Sequence, residues 1–96
     1  MQNREVYKKK IYTELEIVKA RFVEFKAQGQ NLDTDTRARH NRHVEKVAQN
    51  VTATEAKLKE LDAAHDDVWE ELVDGVENTW TVLQSTLEDA VRSFKD

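Results

Sequence analysis

From Asp66 to Phe94 the large apolar residues return every three or four positions: Val68, Trp69, Leu72, Val73, Val76, Trp80, Leu83, Leu87, Val91 and Phe94. That is the α-helical period. Trp69 and Trp80, eleven residues apart, stand almost three whole turns from each other and face the same way. Fully burying one large apolar side chain is worth about 1.5–3 kcal/mol, against about 1–2 kcal/mol per residue to order the backbone. A helix with so broad a stripe needs an apolar partner, and the rest of the chain must be read as a source of one.

The upstream residues supply it. Ile11, Leu15, Val18, Phe22 and Phe25 follow a 4-3-4-3 spacing, the seam of a coiled coil or narrow bundle, and Tyr7, Tyr12 and Val23 are expected to widen it. Val44, Val47, Val51, Thr54, Leu58 and Leu61 form a second seam. Proline is absent and glycine occurs only at 29 and 75, a composition natural for long helices and hard to reconcile with a turn-rich β fold. The 96 residues make one domain spanning 1–96. The fold class is therefore all-α: an antiparallel helical bundle with coiled-coil packing.

Between 29 and 43 the seam loses its large apolar content, and two structures are compatible with this. In one, Gly29 is the C′ residue of a first helix, Gln30-Asn31-Leu32 is a loop, Asp33 or Thr34 caps a second helix, and three helices result. In the other, which is preferred, one helix runs from about 3 to 62 with a stutter near 36–40. A second helix over about 66–95 follows a turn at 62–67, where Asp67 and Glu70 have the spacing of a capping box. That second helix covers only about half of a 60-residue partner, so Ile11, Leu15, Val18, Phe22 and Phe25 would need a second chain, and a homodimer is expected.

The net charge of −4 hides an asymmetry: net +4 up to Lys46 and net −8 from Val47 onward. Opposite halves favour antiparallel packing within a chain or between chains, although each exposed pair is worth only roughly 0.2–1 kcal/mol. The basic stretch with Arg37, Arg39, Arg42 and Lys46 is expected to pair with Asp66, Asp67, Glu70, Glu71, Asp74 and Glu77. Glu55 and Lys59 are expected to pair along their own helix.

Chemistry is hard to find. No cysteine is present, so disulfides and thiolate metal sites are excluded. His40 and His43 lie at i, i+3, with His65 as a third imidazole that a folded-back chain could bring near, but the surrounding arginines repel a metal. No metal or cofactor is expected. No nucleophile–His–acid arrangement or phosphate-cradling glycine loop occurs, and the chain is read as not an enzyme, without a small-molecule substrate. Nucleic-acid contact through 37–46 is a secondary alternative, set against the acidic whole and the lack of stacking aromatics in the patch. Reversible, apolipoprotein-like lipid-surface binding is another, set against the carboxylates Glu70, Glu71, Asp74, Glu77, Glu88 and Asp89 beside the tryptophans. No apolar run approaches a membrane span and the N-terminus lacks the h-region of a signal peptide, so a cytoplasmic location is expected.

Several stretches together carry a resemblance: Glu5-Val6-Tyr7-Lys8, Lys57-Leu58-Lys59-Glu60-Leu61, Asp67-Val68-Trp69-Glu70-Glu71-Leu72, Gly75-Val76-Glu77, Trp80 and Ser93-Phe94-Lys95. With these the chain resembles small, mostly uncharacterised bacterial proteins described as coiled-coil domain-containing. The resemblance implies a first helix uninterrupted across 29–43, where Gly29, Thr34, Thr36, His40 and His43 depart from the Ala-rich pattern of those proteins. It implies no substrate, reaction or catalytic residue. The expected function is a non-enzymatic structural or protein-interaction module that self-associates. Its anchors are Ile11, Leu15, Val18, Phe22, Phe25, Trp69, Leu72, Val76, Trp80, Leu83 and Leu87, and Gly75 is either a place of close helix approach or simply tolerated.

Overall fold

The computed structural model describes residues 2–95, with side chains over 4–94. Helix α1 (Gln2–Ala27) runs into a short 3-10 turn (Gln28–Asn31). Helix α2 (Thr34–Asp62) follows, and a second 3-10 turn (Asp66–Val68) leads into α3 (Trp69–Lys95). The three helices form an all-α bundle, up, down and up, with no strand among the described residues. The Cα extents of 51 × 18 × 18 Å describe a rod. Its radius of gyration of 15.6 Å exceeds the about 12.5 Å of a compact globule of this length.

The chain breaks at 28–33, so the continuous helix over 3–62 is not the structure adopted, and the three-helix alternative is. The reason lies in the residues that share the seam there. Gln, Gly, Asn and Asp are weak helix formers, and Asp33, with extended backbone, accepts a hydrogen bond from the Thr36 amide at 2.8 Å and so caps α2. The Arg37 guanidinium adds to this, donating through Nη2 to the carbonyls of Gln30 (3.2 Å) and Leu32 (3.1 Å). Gly29 does not serve as a left-handed C′ residue: no described residue has positive φ. Its role is steric, taken up below.

The break changes where α1 finds its partner. Ile11, Leu15, Val18 and Phe25 are buried within one chain, together with Val47, Val51, Leu58 and Leu61 of α2 and Val76, Trp80, Leu83, Leu87 and Ala90 of α3. The second chain expected to cover α1's inner face is not needed for that purpose. Tyr7, Phe22, Val44, Trp69, Leu72, Val73, Val91 and Phe94 pack around this core. Val23, expected in the seam, instead lies outside it and is 64% exposed.

Helices α2 and α3 pack most closely, because small residues line their contact: Val47, Val51, Thr54, Val76 and Ala90 are all buried. Thr54, wholly buried, satisfies its hydroxyl by donating to the Asn50 carbonyl at 2.8 Å. The Asn50 amide donates to the Thr86 hydroxyl at 2.9 Å, fixing the register of the pair. Helix α1 meets the other two through larger side chains. The second turn falls where it was expected, but Asp67 and Glu70 form no capping box. Asp67 lies inside the 3-10 turn, whose N-cap is His65 with no side-chain hydrogen bond, and α3 continues directly from that turn.

Candidate functional site

The two ends of the rod are built differently. At the first, α1's N-terminal part meets the α2–α3 turn. The Trp69 ring, half-buried, receives the edge of Tyr7 (centroids 6.3 Å, planes at 77°), and the Arg4 guanidinium lies 4.7 Å from its centroid. Arg4 also pairs with Asp66. The Tyr7 hydroxyl donates to Glu77 Oε1 at 2.8 Å and the Tyr12 hydroxyl to Asp62 Oδ2 at 2.6 Å. One turn after another, Lys19 Nζ reaches Glu55 Oε2 at 3.0 Å. The opposite-charge halves therefore do meet, through α1 rather than through 37–46, and Glu55 pairs across helices rather than with Lys59.

These contacts shift the groups that make them. Burial, and then the hydrogen bond to Glu77, hold the Tyr7 phenol well above its ordinary value. The bond to Asp62, followed by burial, pushes Tyr12 up to about 12. Lys19 is raised by its bond to Glu55, and Asp33 is lowered by the amide and hydroxyl of Thr36. Trp80 is buried beside Val76 and Leu83. Trp80 thus belongs to the inside of the bundle, and Trp69, half-buried, packs against its edge.

At the other end, Phe25, His40 and Phe94, one from each helix, form an aromatic cluster. Centroid separations are 4.4 Å for Phe25–His40, 5.1 Å for His40–Phe94 and 5.9 Å for Phe25–Phe94. His40 is 4% exposed and neither ring nitrogen has a hydrogen-bond partner. Its place in the core escaped sequence reasoning, which grouped it with His43 by spacing and charge. The one available signal was its i+4 position after Thr36, on the seam. His65 lies at the opposite end of α2, roughly 37 Å away at 1.5 Å per residue, so the three imidazoles do not gather. Among the described residues no group of three His, Asp or Glu side chains could hold a metal.

The basic residues divide. Arg37 is occupied with the α1–α2 turn. Arg39, Arg42 and Lys46, with His43, Glu45 and Gln49, line a shallow depression on α2. Their expected partners at 66–77 lie at the other end of the rod, because α3 runs antiparallel to α2 and brings its C-terminal part beside them. Pairing within one chain is excluded by that direction.

The remaining feature is the outer face of α1. Val6, Ile17 and Val23 are 65%, 57% and 64% exposed. Thr13 and Ala20, also exposed, lie between them on the side of the helix opposite Ile11, Leu15 and Val18. Val6, Lys9, Lys10, Thr13 and Glu14 line a shallow apolar groove there. Helix α1 therefore carries exposed apolar side chains, among Lys9, Lys10 and Glu24, on a side that the bundle does not cover. No described helix is long and apolar enough to cross a membrane. Compared with protein-family models, with curated proteins and with solved structures, the chain matches none.

Proposed function

We propose that the chain is a non-enzymatic structural module that self-associates through the outer face of α1. The observation that carries this reading is the exposed band Val6–Thr13–Ile17–Ala20 with Val23 at its edge, on a helix whose opposite face is already buried. A symmetric pair of copies, α1 antiparallel to α1 about Ile17, sets Lys10 of each opposite Glu24 of the other and joins the apolar bands at the centre. Closed two-fold pairing of this kind uses one patch twice. The resemblance to coiled-coil domain-containing bacterial proteins supports the same reading, as does a bundle core that takes up Trp80 and packs Trp69 against its edge.

Sedimentation velocity from micromolar to millimolar concentration tests it. The wild-type chain is expected to pass from monomer to dimer in rapid equilibrium, and Ile17→Glu to lack this rapidly formed dimer with an unchanged melting midpoint. A chain that stays monomeric throughout would sink the proposal.

A second reading rests on Arg39, Arg42 and Lys46, which the fold leaves without the acidic partners expected for them. A polyanion such as nucleic acid is their natural counterpart, and binding would weaken steeply with salt. Absence of any mobility shift with DNA or RNA at low ionic strength would discard it. The lipid-surface alternative rests chiefly on α1's outer band, since most of the α3 stripe packs in or against the core.

A further inference from the structure

The break between α1 and α2 depends on the backbone of two residues. Ala27 is right-handed helical (φ −64°, ψ −28°) and Gln28–Asn31 continue as 3-10 helix; only Leu32 (φ −87°, ψ 153°) and Asp33 (φ −68°, ψ 171°) are extended. Their φ values already lie near that of an α-helix, so rotation about two ψ angles makes α1 and α2 one helix. Neither a left-handed residue nor a proline stands in the way. The 4-3 spacing of the first seam also passes through Gly29, Leu32 and Thr36 in phase.

Straightening the turn would carry α1 away from the bundle and strip the cover from Ile11, Leu15, Val18 and Phe25. A surface matching the one they leave is offered by a second copy in the same state. With two straightened chains antiparallel, α1 of each enters the α2–α3 groove of the other. The contacts Tyr7–Glu77, Tyr12–Asp62, Lys19–Glu55 and Phe25–His40 then re-form between chains. We propose that this protein forms such an α1-exchanged dimer, with Gln28–Asp33 as the hinge. The partner is a second copy of the chain, and the interface is the inner face of α1. Exchange of an identical element is a low-cost route to a dimer, because nearly every native contact is kept. The closed turn is held by the Asp33 cap, the Arg37 bonds to Gln30 and Leu32, and the His40 ring against Gly29, so the balance can be moved from either side.

This inference deepens the self-association reading but uses a different face and a different motion, and variants separate the two. Thr34→Pro places proline at the first position of α2, where its missing N–H costs nothing and extended Asp33 suits the preceding residue; in a continuous helix the same proline clashes with the Gln30 carbonyl. Asp33→Ala removes the cap and adds a helix former. Full-length chains, unlabelled and 15N-labelled, are mixed at millimolar concentration, incubated for days, and measured by native mass spectrometry and small-angle scattering. The expected result is slow formation of mixed dimers with a maximum dimension near the roughly 90 Å of a 61-residue helix, against 51 Å along the closed chain. Asp33→Ala should raise the dimer fraction at equal concentration about tenfold, and Thr34→Pro should abolish the long dimer with helicity intact. Long dimers formed equally by Thr34→Pro overturn the exchange. A short, fast dimer lost in Ile17→Glu and indifferent to Thr34→Pro also overturns it, while the outer-face reading stands. No dimer of any kind in wild type or Asp33→Ala overturns both.

Discussion

The imidazole of His40 lies directly against the backbone of Gly29, so that a Cβ added to the glycine would overlap the ring. Gly29 is therefore selected by space and not by a left-handed backbone. Alanine favours helix over glycine, yet here Gly29→Ala forces either the aromatic cluster or the turn to shift. A loss of about 1–3 kcal/mol is expected, the usual cost of overpacking. Denaturant melts of Gly29→Ala, His40→Ala and the double variant measure it. Additive losses would mean that the two residues do not interfere.

His40 itself carries a cost. Its two ring nitrogens are buried among Phe25, Phe94 and Gly29 with no partner, and an unsatisfied buried polar group is worth about 1–3 kcal/mol against stability. His40→Leu, similar in volume, is expected to raise the melting midpoint. A fall would show that the stacked ring contributes more than its orphaned nitrogens cost.

Gly75 is the opposite case. A Cβ there would meet only the Lys57 stem, at 3.7 Å, which is ordinary contact. Gly75→Ala should stabilise the chain by about 1 kcal/mol through helix propensity alone. Calorimetry on the two proteins checks this, and no gain would mean that α2 and α3 pack more tightly at Gly75 than the Lys57 distance indicates.

Stability should fall on the alkaline side. The folded chain holds Tyr7 and Tyr12 protonated above the ordinary phenol value of 10.0, Tyr7 by its burial and then its hydrogen bond to Glu77, Tyr12 by its hydrogen bond to Asp62 and then its burial. Since the folded-state values are raised, this contribution is fully present below pH 10 and is lost as pH rises from there through about 12 for Tyr12. The Tyr7→Phe, Tyr12→Phe double variant should show a flatter decline over that window in urea midpoints.

Leu83 sits at the centre of α3's inner face with no exposed surface. Leu83→Asp places a carboxylate where nothing can hydrogen-bond it, at a cost of several kcal/mol. Loss of cooperative melting by circular dichroism is expected. A variant that melted like wild type would mean that α3 is not integral to the fold.

Residue periodicity determined the helices, the buried anchors and the turn after Asp62, because an apolar stripe with a 3.6-residue repeat has few ways to leave water. It placed Ile11, Leu15, Val18, Phe25, Val76, Trp80, Leu83 and Leu87 in the core before any partner helix was known. It did not decide the link between α1 and α2. There, two ψ angles at Leu32 and Asp33 separate a broken chain from a continuous one: the weak helix formers, the Asp33 cap and the Arg37 bonds favour the break, while the in-phase seam favours continuity. Contacts distant in sequence add to the break. Phe25 and Phe94 close around His40, the His40 ring lies against Gly29, and Arg4, Tyr7 and Lys19 find their partners at the far end of α2 and the start of α3. Charge totals could say that the halves attract; only the antiparallel course of α3 decided that α1, and not the basic stretch at 37–46, would meet the acidic turn.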